Sequence, residues 1–271
     1  AREWFERASK LGNPHAQYQL ARMILDAPSS TPEQTAQALE WLTKAAEAGQ
    51  DCAQYAFGKI YREGQEIEKD IQQAVELFTL AAEQGNSFAA FALGKLYLSG
   101  DAGLPIDPPS ALKWLTFSAE LGNQFAQYRL GKLLLQGEEV PKDTEAAIRW
   151  LTAAAEQGNQ YAQYALGKLY LLGKEVPKDK SNAIKWFQLA ADQGNEYAKY
   201  FLEHMDDRLG QPPAAAVISL LHHLANIFQE QSQPPSDGIR VAVDRKLLRK
   251  IKAKKIAQGH KADDHEPEMQ L

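Results

Sequence analysis

The sequence has little with which to cross-link a fold or cross a membrane. Cys52 is its single cysteine, so no disulfide can form within the chain. No apolar run approaches the roughly 20 residues that a membrane-spanning helix needs, so we predict no transmembrane segment. A disulfide-stapled fold is therefore excluded, and the lone thiol favours a reducing compartment, which predicts a cytoplasmic location.

The sequence also lacks an initiator Met and a signal peptide. Ala1 already lies inside a helical pattern, Ala1-Arg2-Glu3-Trp4-Phe5. We therefore expect the chain to be a piece of a longer protein, or a processed form of one. The absence of a targeting signal then decides little about its location.

Motifs that mark common active sites are absent as well. The sequence holds no GxGxxG, no Walker loop, no GxSxG and no HExxH. His260, Asp264 and His265 are chemically able to bind a metal, but they lie in a tail expected to be flexible. We therefore predict no catalytic residue, no metal and no cofactor.

The net charge of −5 conceals an asymmetry between two parts of the chain. Residues 1–239 carry 21 Lys/Arg and 30 Asp/Glu, whereas residues 240–261 carry nine Lys/Arg and one acid, Asp244. Residues 262–271 carry four acids and no base. An acidic body with a short basic segment indicates separate roles for the two parts.

What the sequence has in abundance is internal repetition. A Gly followed by Asn or Gln recurs every 36 or 37 residues, at Gly12, Gly49, Gly85, Gly122, Gly158 and Gly194. A column of aromatic or leucine residues keeps step with it, at Trp4, Trp41, Leu77, Trp114, Trp150 and Trp186. Columns that stay in step over six units predict a repeat architecture.

Each unit predicts two helices. In the fifth unit, Asp143 is a good N-cap for a first helix over residues 144–157, and Gly158 is a good terminator. A second helix follows over residues 160–172 and ends at Gly173. Helices of this length are marginal alone, so each unit should be stable only against its neighbours. Cys52 falls where later units carry aromatic rings, which predicts a packing residue.

The unit resembles a known repeat. The residues that carry the match in the fifth unit are Trp150-Leu151, Ala154-Ala155-Glu156-Gln157-Gly158-Asn159, Ala162-Gln163-Tyr164-Ala165-Leu166-Gly167 and Val176-Pro177-Lys178-Asp179. They resemble the Sel-one-like repeats, relatives of the tetratricopeptide repeats, over about residues 1–205. The resemblance implies an all-α, right-handed α/α superhelical solenoid of about six helix pairs. It also implies that the first helix of each pair lines the concave face.

Two columns that vary between units predict a binding surface on the first helices. The first column lies one residue before the aromatic column, and its residues change from acidic to basic along the chain. The second column lies four residues after the first, and its residues are apolar in the middle units. Positions four apart share a helix face, so the two form one stripe, here called the first-helix stripe. Its predicted ligand is a protein or peptide, bound by a monomer. The residues assigned to it are Glu40, Lys44, Glu76, Leu80, Lys113, Phe117, Arg149, Lys185 and Leu189. The alternative is that these side chains are partly buried against the next unit or merely solvated.

Beyond the repeats we predict a capping helix over 206–231, a linker over 232–239, a basic helix over 240–259 and a flexible acidic tail over 260–271. The capping helix has the alternative role of a partner-binding helix. The basic helix suits phosphate groups of nucleic acid, because neutralising them releases counterions. Its alternatives are docking on the acidic solenoid, solvation, or an acidic membrane. The nucleic-acid candidates are Arg245, Lys246, Arg249, Lys250, Lys252, Lys254 and Lys255.

The basic helix and tail, through residues 244–258, Gly259-His260 and Asp263-Asp264-His265-Glu266, also resemble the C-terminal ends of some bacterial conjugative relaxases that carry such repeats. The resemblance implies a second hypothesis, an accessory region of a DNA-processing mobilisation protein. No relaxase catalytic motif is present in the chain. The first hypothesis remains a protein-binding scaffold without enzymatic activity.

Overall fold

The computed structural model describes residues 2–27, 30–64, 67–101 and 103–204. Over these residues it contains twelve α-helices in six consecutive pairs. The first helices of the pairs are α1 (Arg2–Lys10), α3 (Pro32–Glu47), α5 (Ile71–Glu83), α7 (Pro108–Glu120), α9 (Thr144–Glu156) and α11 (Lys180–Asp192). The second helices are α2 (Pro14–Leu25), α4 (Asp51–Glu63), α6 (Ser87–Ser99), α8 (Gln124–Gln136), α10 (Gln160–Leu172) and α12 (Glu196–Glu203). The predicted capping helix, linker, basic helix and acidic tail lie outside the described residues.

Side-chain caps begin the helices at corresponding places in successive units. Asp143 Oδ1 accepts a hydrogen bond of 2.9 Å from the N–H of Ala146, which confirms the predicted N-cap of α9. Asn159 caps α10 in the same way. Between them Gly158 has a φ of +91°, a backbone region that glycine enters without a side-chain clash. These residues let the chain reverse direction in a short turn.

The core runs through the whole stack, both between the two helices of a pair and where the second helix of one unit meets the first helix of the next. α6 packs against α7, and α8 against α9, more extensively than the two helices of one pair pack together. A Cβ added to Gly94 would lie 2.6 Å from Leu115 Cγ, and one added to Gly131 would lie 2.8 Å from Leu151 Cγ. Glycine therefore lets adjacent units approach closely, and the two leucines are fully buried. Each unit gains much of its burial from its neighbour.

Buried glutamines also link adjacent units. Gln127 Nε2 donates to the carbonyl of Ala119 at 3.1 Å, and its Oε1 accepts from Gln157 Nε2 of the next unit at 2.7 Å. The same arrangement recurs around Gln54 and Gln163. We call each of these three a glutamine relay. Because the relay satisfies the amide of a buried glutamine across a unit boundary, it helps to fix the register of the stack.

The boundary between the third and fourth units is built differently. Ala90 stands where the relay glutamine would be, and Leu121 stands where its partner would be. Ser118 instead donates from Oγ to the carbonyl of Ser87 at 2.7 Å. The two replacements occur together, so no buried amide is left without a partner at this boundary.

Candidate functional site

The first-helix stripe lies on the exposed side of α3, α5, α7, α9 and α11. Eight of its nine predicted residues are exposed, and Phe117 is half-buried. Leu80 and Leu189 keep 49% and 40% of their surface in solvent. Exposed apolar side chains in a row of charged residues are typical of a protein-binding surface.

Several charges of the stripe have partners within their own helix. Lys44 Nζ lies 2.7 Å from Glu40 Oε1, so the acidic end of the stripe is partly neutralised at the second unit. The ammonium groups of Lys113 and Lys185 lie 5.1 and 5.4 Å from the ring centroids of Trp114 and Trp186. These surface contacts are weak, so a charged partner can displace them at small cost.

Phe117 has a structural contact as well as a position in the stripe. Its ring meets Trp114 edge-on with the centroids 6.2 Å apart. Both rings also pack against the buried cluster of the third unit, which includes Phe78. Truncation of Phe117 will therefore affect stability as well as any binding, and a test must measure both.

An open groove lies where α5 ends beside α7. Its volume is about 750 Å³, and it brings together two predicted residues, Lys113 and Phe117. The sequence reasoning missed the other lining residues, because it compared only two columns of each first helix. Those residues are Glu83, Pro109, Leu112, Trp114, Thr116 and Glu120. The groove combines an apolar floor with one cation and two acids, and its size suits a few side chains of a ligand.

The second helices carry four aromatic contacts between adjacent units, made by rings that the sequence indicated only as packing residues. In each contact a ring of one unit meets a ring of the next unit. The eight residues that make these contacts are here called the ring ladder. The contacts join Tyr55 to Phe88 at 6.2 Å, Phe91 to Phe125 at 6.4 Å, Tyr128 to Tyr161 at 6.1 Å and Tyr164 to Tyr197 at 6.0 Å between centroids.

A lysine lies one helical turn beyond a ring of the ladder on α4, α6, α8 and α10. Lys59 and Lys95 lie 5.8 and 5.9 Å from the ring centroids of Tyr55 and Phe91. Burial lowers the pKa of Lys95 to about 8, and burial lowers the pKa of Lys132 to about 8 as well. The guanidinium of Arg129 contributes to both shifts, because a nearby cation disfavours the charged ammonium.

Cys52 is half-buried at the start of α4. Burial raises the pKa of its thiol, and the carboxylate of Asp51 raises it further. The thiol is therefore protonated at neutral pH and a poor nucleophile. Over the described residues, no group of three His, Cys, Asp or Glu side chains is placed to hold a metal ion. In that same part of the chain, no helix is both long and apolar enough to traverse a bilayer.

Known repeats and solved structures match the chain. The model of the Sel1 repeat matches residues 1–13, 14–50, 53–86, 87–123, 124–159 and 160–195. A Sel1 repeat protein from Oxalobacter formigenes is 36% identical, with a TM-score of 0.66 over 76% of this chain and 59% of that one. A protective antigen of uropathogenic Escherichia coli strains, which displays an SLR fold, is 28% identical, with a TM-score of 0.69 over 95% of this chain and 56% of that one. No curated protein matches.

These matches settle the fold and the family. The chain spans somewhat more than half the length of the two solved relatives. The all-α repeat solenoid predicted from the sequence is confirmed. Sel1 repeat proteins are generally protein-interaction scaffolds and generally not catalysts. With six matched stretches covering residues 1–195 apart from 51–52, the chain belongs to the Sel1 repeat family.

Proposed function

We propose that the chain is a scaffold that holds a protein or peptide partner along the first-helix stripe, on the concave face of the solenoid. The groove between α5 and α7 carries this proposal, because Lys113 and Phe117 were predicted from variation between units and both line it. A concave surface with an apolar floor and a few polar groups is what a side-chain anchor of a partner requires.

The chemistry of the groove defines the kind of anchor. Leu112 and Phe117 offer apolar surface, Lys113 offers a positive charge, and Glu83 and Glu120 offer negative charge. An aromatic or leucine side chain of the partner fits the floor, and a flanking polar group can meet the charges. Leu80 on α5 and Leu189 on α11 add exposed apolar surface in the third and sixth units.

The test uses peptides selected from a random display library against the full chain. We expect Phe117→Ala to weaken the selected peptides by about tenfold or more, since a central aromatic anchor dominates such interfaces. Leu172→Ala is the matched control, because Leu172 is an exposed apolar residue on a second helix, 47% in solvent. It should leave the affinity within about twofold. Unfolding in urea is measured for both variants. Unchanged affinity together with lowered stability for Phe117→Ala would make this residue part of the core and refute the groove.

The sequence supports a second candidate, contact with nucleic acid by the basic helix predicted over residues 240–259. Its support is the density of nine Lys/Arg within residues 240–261, which lie outside the described residues. Neutralising Arg245, Lys246, Arg249 and Lys250 together to Gln should remove binding to short DNA and flatten its dependence on salt. DNA binding that persists in this variant would reject the candidate.

The proposal also includes a compartment, an oligomeric state and the lack of a catalysed reaction. We place the chain in the cytoplasm, with the single thiol of Cys52 as support. We propose that it acts as a monomer and catalyses no reaction, with its partner providing any activity.

A further inference from the structure

The groove between α5 and α7 has acids at its rim. Glu83 is the last residue of α5 and Glu120 is the last residue of α7, and both line the groove. Both side chains are exposed, and among the described residues neither has an ion-pair or hydrogen-bond partner. An acid at the carboxyl end of a helix meets the negative end of the helix dipole. A cation bound at this rim would therefore be attracted by two carboxylates and by two helix ends.

Neighbouring first helices end in the same way. α3 ends at Glu47 and α9 ends at Glu156, and both carboxylates are exposed. Neither makes an ion pair or a side-chain hydrogen bond with the rest of the described chain. Lys113 also lines the groove, but its ammonium group lies over the ring of Trp114, 5.1 Å from the centroid. Acids thus line the carboxyl ends of four successive first helices.

The floor beneath the acids is apolar. Leu112, Trp114 and Phe117 line the groove, and all three are half-buried. The groove has a volume of about 750 Å³, which is enough for a few large apolar side chains. A ligand that suits both the floor and the rim is amphipathic, with apolar residues on one side and cations beside them.

One segment of the chain, outside the described residues, has this composition. Residues 244–256 carry seven Lys/Arg and one acid, Asp244. Leu247 and Leu248 stand four and three residues before Ile251, so in the basic helix predicted there the three share one side. The sequence therefore predicts an apolar side flanked by cations, which complements both the floor and the rim of the groove.

The segment is long enough and close enough in the chain to reach the groove. Forty residues, 205–244, separate the last described residue from Arg245. A chain of that length spans about 60 Å as a continuous helix and more when extended. Five helix-to-helix contacts lead from α12 back to α7, and at about 8–10 Å each they add up to about 50 Å or less. A tethered segment then has an effective concentration of about millimolar at the groove, so a weak contact is enough to occupy it.

We propose that residues 244–256 of the same chain bind in the groove between α5 and α7 and compete there with the protein or peptide partner. Leu247, Leu248 and Ile251 cover the apolar floor, and the neighbouring cations meet Glu83 and Glu120. The inference rests on the proposed function in taking the groove as a binding site, and it adds that a partner must displace the chain's own segment. Cations held by these acids are not available to phosphates, so nucleic acid and the groove exclude each other as ligands of the segment.

Photo-crosslinking within the full chain tests the contact without any partner. A benzophenone amino acid replaces Ile251, and in a second chain it replaces Ala253, which lies about 200° further round a helix and so on the opposite side. Adducts are mapped by mass spectrometry in an equal mixture of ordinary and nitrogen-15-labelled chains, which separates contacts within one chain from contacts between two copies. We expect adducts from position 251 to the groove of the same chain, and at least about threefold fewer from position 253.

Substitution of the acids tests the role of charge. Glu83→Gln with Glu120→Gln should lower the yield of groove adducts from position 251 by at least about threefold. The matched control, Glu68→Gln with Glu138→Gln, removes the same charge from exposed loops that follow α4 and α8. It should leave the yield within about twofold. Circular dichroism of each variant verifies that it is folded.

The display-selected peptides of the proposed function give a second readout. Arg245, Lys246, Arg249 and Lys250 changed together to Gln should tighten peptide binding by at least about threefold, because the competing segment is weakened. Groove adducts in a chain that binds no peptide would support the inference and reject the external partner. Peptide binding that the four substitutions leave unchanged, without groove adducts, would reject the inference and leave the proposed function standing.

Three further outcomes would overturn the inference. Groove adducts that join two copies would assign the groove to a second molecule of the chain. Adducts confined to α11 and α12 would place the segment on the last unit. Equal loss of groove adducts in the acid variant and in its control would remove Glu83 and Glu120 from the contact.

Discussion

At the scale of single residues, the clearest feature is the fit between small residues of one unit and large residues of the next. Four second helices carry glycine at the contact, and the first unit carries Ala21 there, fully buried. In an isolated helix alanine is preferred to glycine by about 1 kcal/mol. The glycine is therefore explained by the contact across the boundary, and not by the helix in which it lies.

Gly94→Ala tests this explanation. The new Cβ would lie 2.6 Å from Leu115 Cγ, so the units must separate, at a cost of about 1–3 kcal/mol that exceeds the gain in helix propensity. We expect a lower apparent free energy of unfolding in urea. The reverse change at the first unit, Ala21→Gly, should also lower it, by about 1 kcal/mol. If Gly94→Ala stabilised the chain, the close approach of α6 and α7 would be wrong.

Two lysines beside the ring ladder and two tyrosines within it predict how the free energy of unfolding depends on pH. Lys95 and Lys132 have a pKa of about 8 in the folded chain against an ordinary 10.5, so between these values the unfolded chain binds more protons. Stability should therefore rise as the pH increases from about 8 to 10. Tyr128 and Tyr164, by contrast, have a pKa raised by burial from 10.0 to about 12.

Above pH 10 the folded chain holds more protons on these tyrosines than the unfolded chain does, so stability should fall. Urea midpoints measured from pH 7 to about 11.5 should pass through a maximum near pH 10. Lys95→Met with Lys132→Met should flatten the rising part and keep the falling part. A midpoint that falls steadily from pH 8 in the unmodified chain would contradict the placement of the two lysines.

At the scale of the helix, the glutamine relays show how one pair is joined to the next. Gln127→Ala would leave the buried carbonyl of Ala119 without its donor, at a cost of about 1–3 kcal/mol, and would remove the partner of the exposed Gln157 amide. The chain supplies its own control, since Ala90 and Leu121 replace both glutamines at another boundary.

Gln127→Ala with Gln157→Leu should therefore cost less than the sum of the two single changes, by about 1 kcal/mol in a double-mutant cycle. Thermal or urea unfolding of the four chains gives this coupling energy. Strictly additive effects would mean that the relay contributes nothing to the joint between α8 and α9.

At the scale of the whole molecule, the sequence predicted the period, the helix pairs and their ends, because glycine and N-cap residues recur at fixed spacing. It predicted Lys113 and Phe117 as surface residues because they differ between units. It could not predict the groove, since that depends on how far α5 and α7 lie apart. It also missed the ring ladder, because rings and lysines repeated in nearly every unit are indistinguishable from packing residues until neighbouring helices are placed side by side.

Site-specific photo-crosslinking can detect a partner held by the first-helix stripe. A benzophenone amino acid replaces Lys113 in the groove, and in a second chain it replaces Leu172 on α10. Both chains are expressed in the source cells and irradiated. We predict a discrete adduct with one protein from position 113 and none from position 172, and the display-selected peptides should compete with this adduct. Adducts from neither position, or the same adducts from both, would contradict a partner held in the groove.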